Sequence, residues 1–137
     1  MTCLLALDPG SDKCGYAVLT YQRELLVKGI AYLGELGRLL PDLVKRYQPV
    51  LIILGSGTAA KVVKELVLDL QLNLEIKYGN ERNSTLEGRD RYFLDHPPTG
   101  LWRLVPLSLQ IPPCDVDDYA ALIIGERYLQ EHGLEEK

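Results

Sequence analysis

Two short runs of unbroken apolar residues, Leu4 to Leu7 and Val50 to Leu54, stand out from a chain whose other apolar positions alternate or recur at helical spacing. A strand covered on both faces has this character, because neither side of its pleat meets water. The first run ends in Asp8-Pro9-Gly10, where proline fixes φ and glycine tolerates a positive one, so a turn is predicted there and a second strand over Gly15 to Thr20. Asp8 then stands at the carboxyl end of a buried strand. Taken alone, the pattern is equally that of a simple hairpin.

Glu24 to Leu33 continues as a third strand, completing an N-terminal meander. Leu36, Leu39, Leu40, Leu43, Val44 and Tyr47 follow helical spacing, with Pro41 either opening or kinking that helix and Pro49 ending it. After the second apolar run, Thr58 is placed to cap a helix whose apolar face is Val62, Val63, Leu66, Val67 and Leu70. A shorter strand is predicted over Asn73 to Tyr78, a helix from Ser84 or Thr85 to about Leu94, and a last helix opened by Asp117 or Asp118. Between those two helices, residues 96–113 contain five prolines and no periodicity. They are expected to form a long ordered loop, with Trp102 anchoring it to the core and stacking on a base as its second reading. The order β-β-β-α-β-α-β-α-α predicts an α/β fold, antiparallel at its start and parallel afterwards, with residues 1–137 as one domain.

Composition narrows the compartment. Cys3, Cys14 and Cys114 are odd in number, irregularly spaced and without histidine close in sequence, so reduced thiols in a cytoplasmic protein are expected. No signal peptide or membrane-length apolar run is present in the sequence. The net charge of -4 argues against indiscriminate coating of nucleic acid. That charge is concentrated: residues 114–137 carry seven acids and two bases, leaving the first 113 residues at +1.

Three of those acids, Asp115, Asp117 and Asp118, crowd into one turn at the head of the last helix. One carboxylate suffices to cap a helix, so three call for a counter-charge, most simply a divalent cation. Asp8 ends the first strand, and Glu81 follows the strand NLEIKY by a few residues. In a parallel sheet such positions gather at one edge, and the two can meet only if their strands are neighbours, which the order of elements allows. Oxygen ligands without histidine favour Mg²⁺ or Mn²⁺ over zinc. Three converging acid clusters of this type suit a two-metal phosphodiester site. A solvated loop charge at Glu81 and an ordinary acidic helix start are the plainer readings.

Together these segments resemble the YqgF/RuvX family of Holliday junction resolvases and ribosomal RNA-processing nucleases. The first motif is carried by Asp8, Pro9, Gly10, Ser11, Lys13, Gly15, Ala17 and Val18. The middle one is carried by Asn80, Glu81, Arg82, Ser84 and Thr85, and the last by Val116, Asp117, Ala120, Ala121, Tyr128 and Leu129. The resemblance implies an RNase H-like mixed sheet flanked by helices. It implies a metal-dependent endonuclease using Mg²⁺ or Mn²⁺ on branched DNA or precursor 16S rRNA. Asp8 would bridge the ions, Glu81 and Asp117 would complete their shells, and Asp118 would assist; related resolvases carry two aspartates three apart, a spacing shared by Asp115 and Asp118. Symmetric cutting of two strands implies a possible homodimer. Asn80 replaces the family's usual aspartate, and Gly-Ser-Gly-Thr at 55–58 replaces its Gly-x-Pro.

Lys13, Arg82, Arg89 and Arg91 are the expected nucleic-acid contacts, with Arg103 a further candidate. Arg89 and Arg91 are equally placed to pair with Glu87 and Asp95 along their helix. Gly55 to Thr58 is expected to be a tight turn rather than a phosphate loop, lacking the lysine of a P-loop. His96 and His132 are expected on the surface. Two rivals remain at this stage: an actin or sugar-kinase type nucleotide-binding protein, and a noncatalytic nucleic-acid or ribosome-binding relative.

Overall fold

A computed structural model describes residues 2–57, 59–106, 109, 110, 112 and 114–132. Five strands and four helices follow in the order β1 (Cys3–Pro9), β2 (Lys13–Thr20), β3 (Leu25–Tyr32), α1 (Leu36–Tyr47), β4 (Leu51–Gly55), α2 (Ala60–Asp69), β5 (Glu75–Gly79), α3 (Ser84–Asp95) and α4 (Asp117–His132). The sheet order is β3-β2-β1-β4-β5, with β1, β2 and β3 antiparallel and β4 and β5 parallel to β1. Leu4 to Leu7 and Leu51 to Leu54, the cores of the two unbroken apolar runs, are buried in β1 and β4 as their composition requires, whereas Val50, expected to open the second strand, lies outside β4 and is half-exposed.

Side-chain alternation divides the core in two. Cys3, Leu5 and Leu7 of β1 and Ile52 and Leu54 of β4 meet α1 and α2 on one face. Leu4, Ala6, Leu51 and Ile53 meet α4 on the other. Asp8 continues the Leu4–Ala6 series, so it emerges on the α4 face at the end of β1. α4 is buried from Tyr119 through Gly125 because it lies between the sheet and α3. Gly125 permits close seating: a Cβ there would collide with Leu19 and crowd Ala6.

Several local expectations change. β1 runs through Asp8 and Pro9, which pair with Gly15 and Cys14, and the turn falls at Gly10–Lys13, closed by the Gly10 N–H donating to the Lys13 carbonyl at 2.9 Å. Pro9 is tolerated in the strand because only its missing N–H would break the ladder, and it lies at the end. Pro41 lies inside α1. Ser84 is buried as the first residue of α3, behind Asn83 at φ 59°, so neither Ser84 nor Thr85 caps that helix. The Thr58 cap lies outside the described residues. Trp102 does not anchor its loop: it sits on a 3₁₀ turn, Gly100–Leu104, and is 62% exposed. The buried side chain of the loop is instead Gln110, whose amide donates to the loop's own carbonyls at Trp102 (3.0 Å) and Val105 (2.7 Å). No helix among the described residues is long and apolar enough to cross a membrane.

Candidate active site

Three backbone approaches bring the acids together. The first is at Gly15, the register partner of Asp8: any Cβ there would overlap the Asp117 carbonyl. Glycine therefore lets the first turn of α4 press against β2 directly beside Asp8. The second involves Glu81, whose strand is not adjacent to that of Asp8, contrary to the condition set from the element order; β4 stands between. Glu81 nevertheless reaches inward, because its carboxylate lies where the side chains of residues 55 and 57 would be if these were not glycine. The third is Gly88 of α3, which brings α3 against Tyr119 and the Ala120 N–H of α4 at contact distance.

Asp8 records the convergence electrostatically. Its carboxyl is pushed up to about 7, first by burial, then by the charges of Asp117 and of Glu81. Asp117 is also raised, by burial and then by Asp115 and Asp118, with Lys13 acting in the opposite direction. Burial raises Glu81. The Cys14 thiol is pushed up to about 12 by burial, Asp8 and Asp117, which keeps it neutral and unreactive.

The crowded carboxylates at the head of α4 have separate fates. Asp115 pairs with Lys13 at 2.5 Å on the surface. Asp118 pairs with Lys28 of β3 at 2.7 Å, largely buried, and accepts the Tyr119 N–H at 2.9 Å. Lys28 also lies 3.9 Å from the centre of the Tyr119 ring, a cation–π contact that fixes its ammonium. Two lysines thus provide the counter-charge for which a cation had been expected. Asp117, Asp8 and Glu81 have no ion pair or side-chain hydrogen bond among the described residues. Of the two candidates on α4, Asp117 is the one whose charge acts on Asp8.

The expected phosphate contacts also separate. Arg82 is exposed just after Glu81. Arg89 lines a cleft of about 290 Å³ with Thr85, Cys114, Asp115 and Asp117. Arg91 does not pair with Asp95; it makes a two-pronged contact with Glu126, 2.6 and 3.1 Å, binding α3 to α4. Glu87 pairs with Arg127 rather than with Arg91 or Arg89. His96 and His132 are exposed, as expected. Lys28 and the glycines at 15, 55 and 57 were not singled out as site residues. Lys28 carried no sequence signal, whereas the glycines flanking the acid motifs did.

Among the described residues, no three acidic, histidine or cysteine side chains are gathered tightly enough to enclose a metal ion. The donor chemistry nevertheless suits a hard cation: three carboxylates, two of them coupled by charge to the third, and no nitrogen or sulfur ligand in the set.

No family model and no curated protein matches the chain. Solved structures do. The Thermus thermophilus RuvC structure aligns with a TM-score of 0.64 and 14% identity, covering 98% of this chain and 97% of that one. T. thermophilus RuvC in complex with Holliday junction substrate aligns at 0.59 and 13%, covering 98% and 95%. Identities this low speak to architecture, and the mixed five-strand sheet flanked by helices is accordingly the RNase H-like fold that these resolvases share.

Proposed function

We propose that the protein is a divalent-metal-dependent endonuclease that hydrolyses phosphodiester bonds in structured nucleic acid, as the YqgF/RuvX resemblance implies, with branched DNA or precursor 16S rRNA as substrate. The observation that carries the reading is the coupling of Asp8 to both Asp117 and Glu81, a half-buried carboxyl held at about 7 by desolvation and then by two acids from distant parts of the chain. Placing uncompensated carboxylates together is costly to a fold and is characteristic of functional sites. A neighbouring resolvase structure contains Holliday junction substrate, which supports nucleic acid as the ligand class.

Asp8, Glu81 and Asp117 would hold Mg²⁺ or Mn²⁺, which when bound supplies activation of water and stabilisation of the leaving oxygen. The chain's own part is positioning. β1 holds Asp8 rigidly, the glycine turn after β4 seats Glu81, and Lys13 and Lys28 draw Asp115 and Asp118 aside so that Asp117 faces Asp8. Lys13, Arg82 and Arg89 steer the phosphate backbone past these acids, while Arg91 serves cohesion between α3 and α4. The nucleotide-binding alternative is disfavoured by the same glycine turn, because the Glu81 carboxylate lies against it and would repel a phosphate.

The test is cleavage of labelled four-way junction, single-stranded DNA and structured RNA with Mg²⁺ or Mn²⁺, against a chelator control. Metal-dependent cutting of at least one substrate is expected, and the preferred substrate assigns repair or RNA processing. A folded protein that cuts none of them contradicts the proposal.

A further inference from the structure

The loop joining α3 to α4 carries a feature that the acid site does not use. Trp102, Leu101, Leu104 and Leu109 are 62%, 83%, 82% and 72% exposed. Four exposed large apolar side chains in one short loop mark a binding surface more often than a lone exposed leucine does. Two of them, Trp102 and Leu109, line a cleft of about 620 Å³, within the range of roughly 300–1,000 Å³ typical of small-ligand sites. Its walls are aromatic: Tyr92 and His96 of the α3 end stack on each other with ring centres 4.5 Å apart, Phe93 backs them, and Trp102 stands on the loop side. Trp102 makes no ring contact with that stack among the described residues. The loop is nevertheless braced within itself, since the Gln110 amide ties the carbonyl of Trp102, inside the 3₁₀ turn, to that of Val105 just after it. An indole kept in water on a braced turn, opposite other aromatic rings, is arranged for stacking.

We propose that this cleft binds an unpaired nucleobase of the substrate, an inference that rests on the nucleic-acid reading given above. Continuity with the acid site favours that occupant over a second copy of the chain. Arg89 and Tyr92 are three residues apart and share a face of α3, and Arg89 lines the neighbouring cleft with Asp117. A strand whose base enters beside Trp102 therefore has a cation for its backbone on the way to the carboxylates. Arg103, exposed beside Trp102, adds a second positive group at the rim. The protein would in this way favour junctions, loops or single strands over uninterrupted duplex, because stacking requires a base free of its partner.

Trp102 is the single tryptophan of the sequence, so its fluorescence reports this cleft alone. The full-length Asp8→Asn variant, used to prevent cleavage, is titrated with single-stranded DNA, a duplex of equal length and a single strand of abasic sites. The inference predicts saturable quenching by the single strand and little by the duplex or abasic strand. It also predicts that Trp102→Ala weakens single-strand binding, measured by anisotropy of a labelled strand, about tenfold or more, and that Trp102→Phe recovers most of it. Quenching equal for abasic and normal strands overturns the inference, as does fluorescence that follows protein concentration without nucleic acid, which assigns the patch to self-association. Cleavage by the wild type is scored separately: quenching without cleavage removes the nuclease reading and leaves the cleft, and cleavage without quenching does the reverse.

Discussion

Asp8 shows at the scale of one residue how the site strains the fold. Its folded carboxyl titrates at about 7 instead of the usual 3.8, so between those values the folded chain holds a proton that the unfolded chain has released. Stability in the absence of metal therefore falls as pH rises from about 4 to about 7 and is level above that. Asp8→Asn removes the buried charge. It is expected to stabilise the metal-free protein at pH 8, by at most about 4 kcal/mol, and to do little at pH 4. Thermal melts at the two pH values check this, and an equal difference at both would contradict it. The glycines offer a second contrast. A methyl at Gly15 meets the backbone of Asp117, which cannot step aside, so Gly15→Ala should cost about 1–3 kcal/mol in denaturant unfolding. A methyl at Gly57 meets only the carboxylate end of Glu81. Gly57→Ala should therefore leave stability nearly intact while displacing Glu81 and lowering cleavage about tenfold or more, read from parallel unfolding and rate measurements.

At the scale of elements, the start of α4 is organised by two lysines from β2 and β3. Lys13 sits at the β2 end of the turn and its pair with Asp115 is solvent-exposed, so its loss should change stability little. The Lys28 pair is different, with side chains only 22% and 15% exposed. Lys28→Met should cost about 1–3 kcal/mol by leaving Asp118 partly buried without its cation, and Lys28→Met with Asp118→Asn should recover most of that loss. Urea unfolding of the single and double variants is the check; no recovery would mean that the pair does not hold Asp118.

These elements also show how much the sequence discloses. Continuous apolar runs located β1 and β4, and helical periodicity located α1 and α2, because each pattern follows from which faces meet water, whereas α3 and α4 were placed from polar residues at their starts. Asp8, Glu81 and the acid cluster at the head of α4 were legible as candidates from their place at element ends, and the YqgF/RuvX resemblance pointed to Asp117 within that cluster. The sorting of Asp115, Asp117 and Asp118 was not, since it depends on Lys28, a residue 90 positions away that is brought opposite by the register of β3 on β2. Nor was the route of Glu81 across β4, which requires knowing that β4 intervenes. Trp102 was misjudged because an aromatic side chain in a proline-rich loop ordinarily buries, whereas here Gln110 is the buried side chain and ties the loop's own carbonyls.

For the whole molecule, the charge gathered at the site sets the order of binding. Under the proposed function, a sheet edge that gathers three carboxylates, with Lys13 acting on Asp117 alone, repels nucleic acid until cations load it, so metal binding should precede tight substrate binding. The central claim is that Asp8, Glu81 and Asp117 act together while Asp118 is held aside. The most direct measurement is the cleavage rate of a labelled four-way junction, or of the preferred substrate from the broader panel, in Mn²⁺ for four single variants. Asp8→Asn, Glu81→Gln and Asp117→Asn should each lower the rate at least about 100-fold, and Asp118→Asn should retain it within about tenfold. A silent Asp118→Asn beside an active Asp117→Asn, with both folded, would contradict the account.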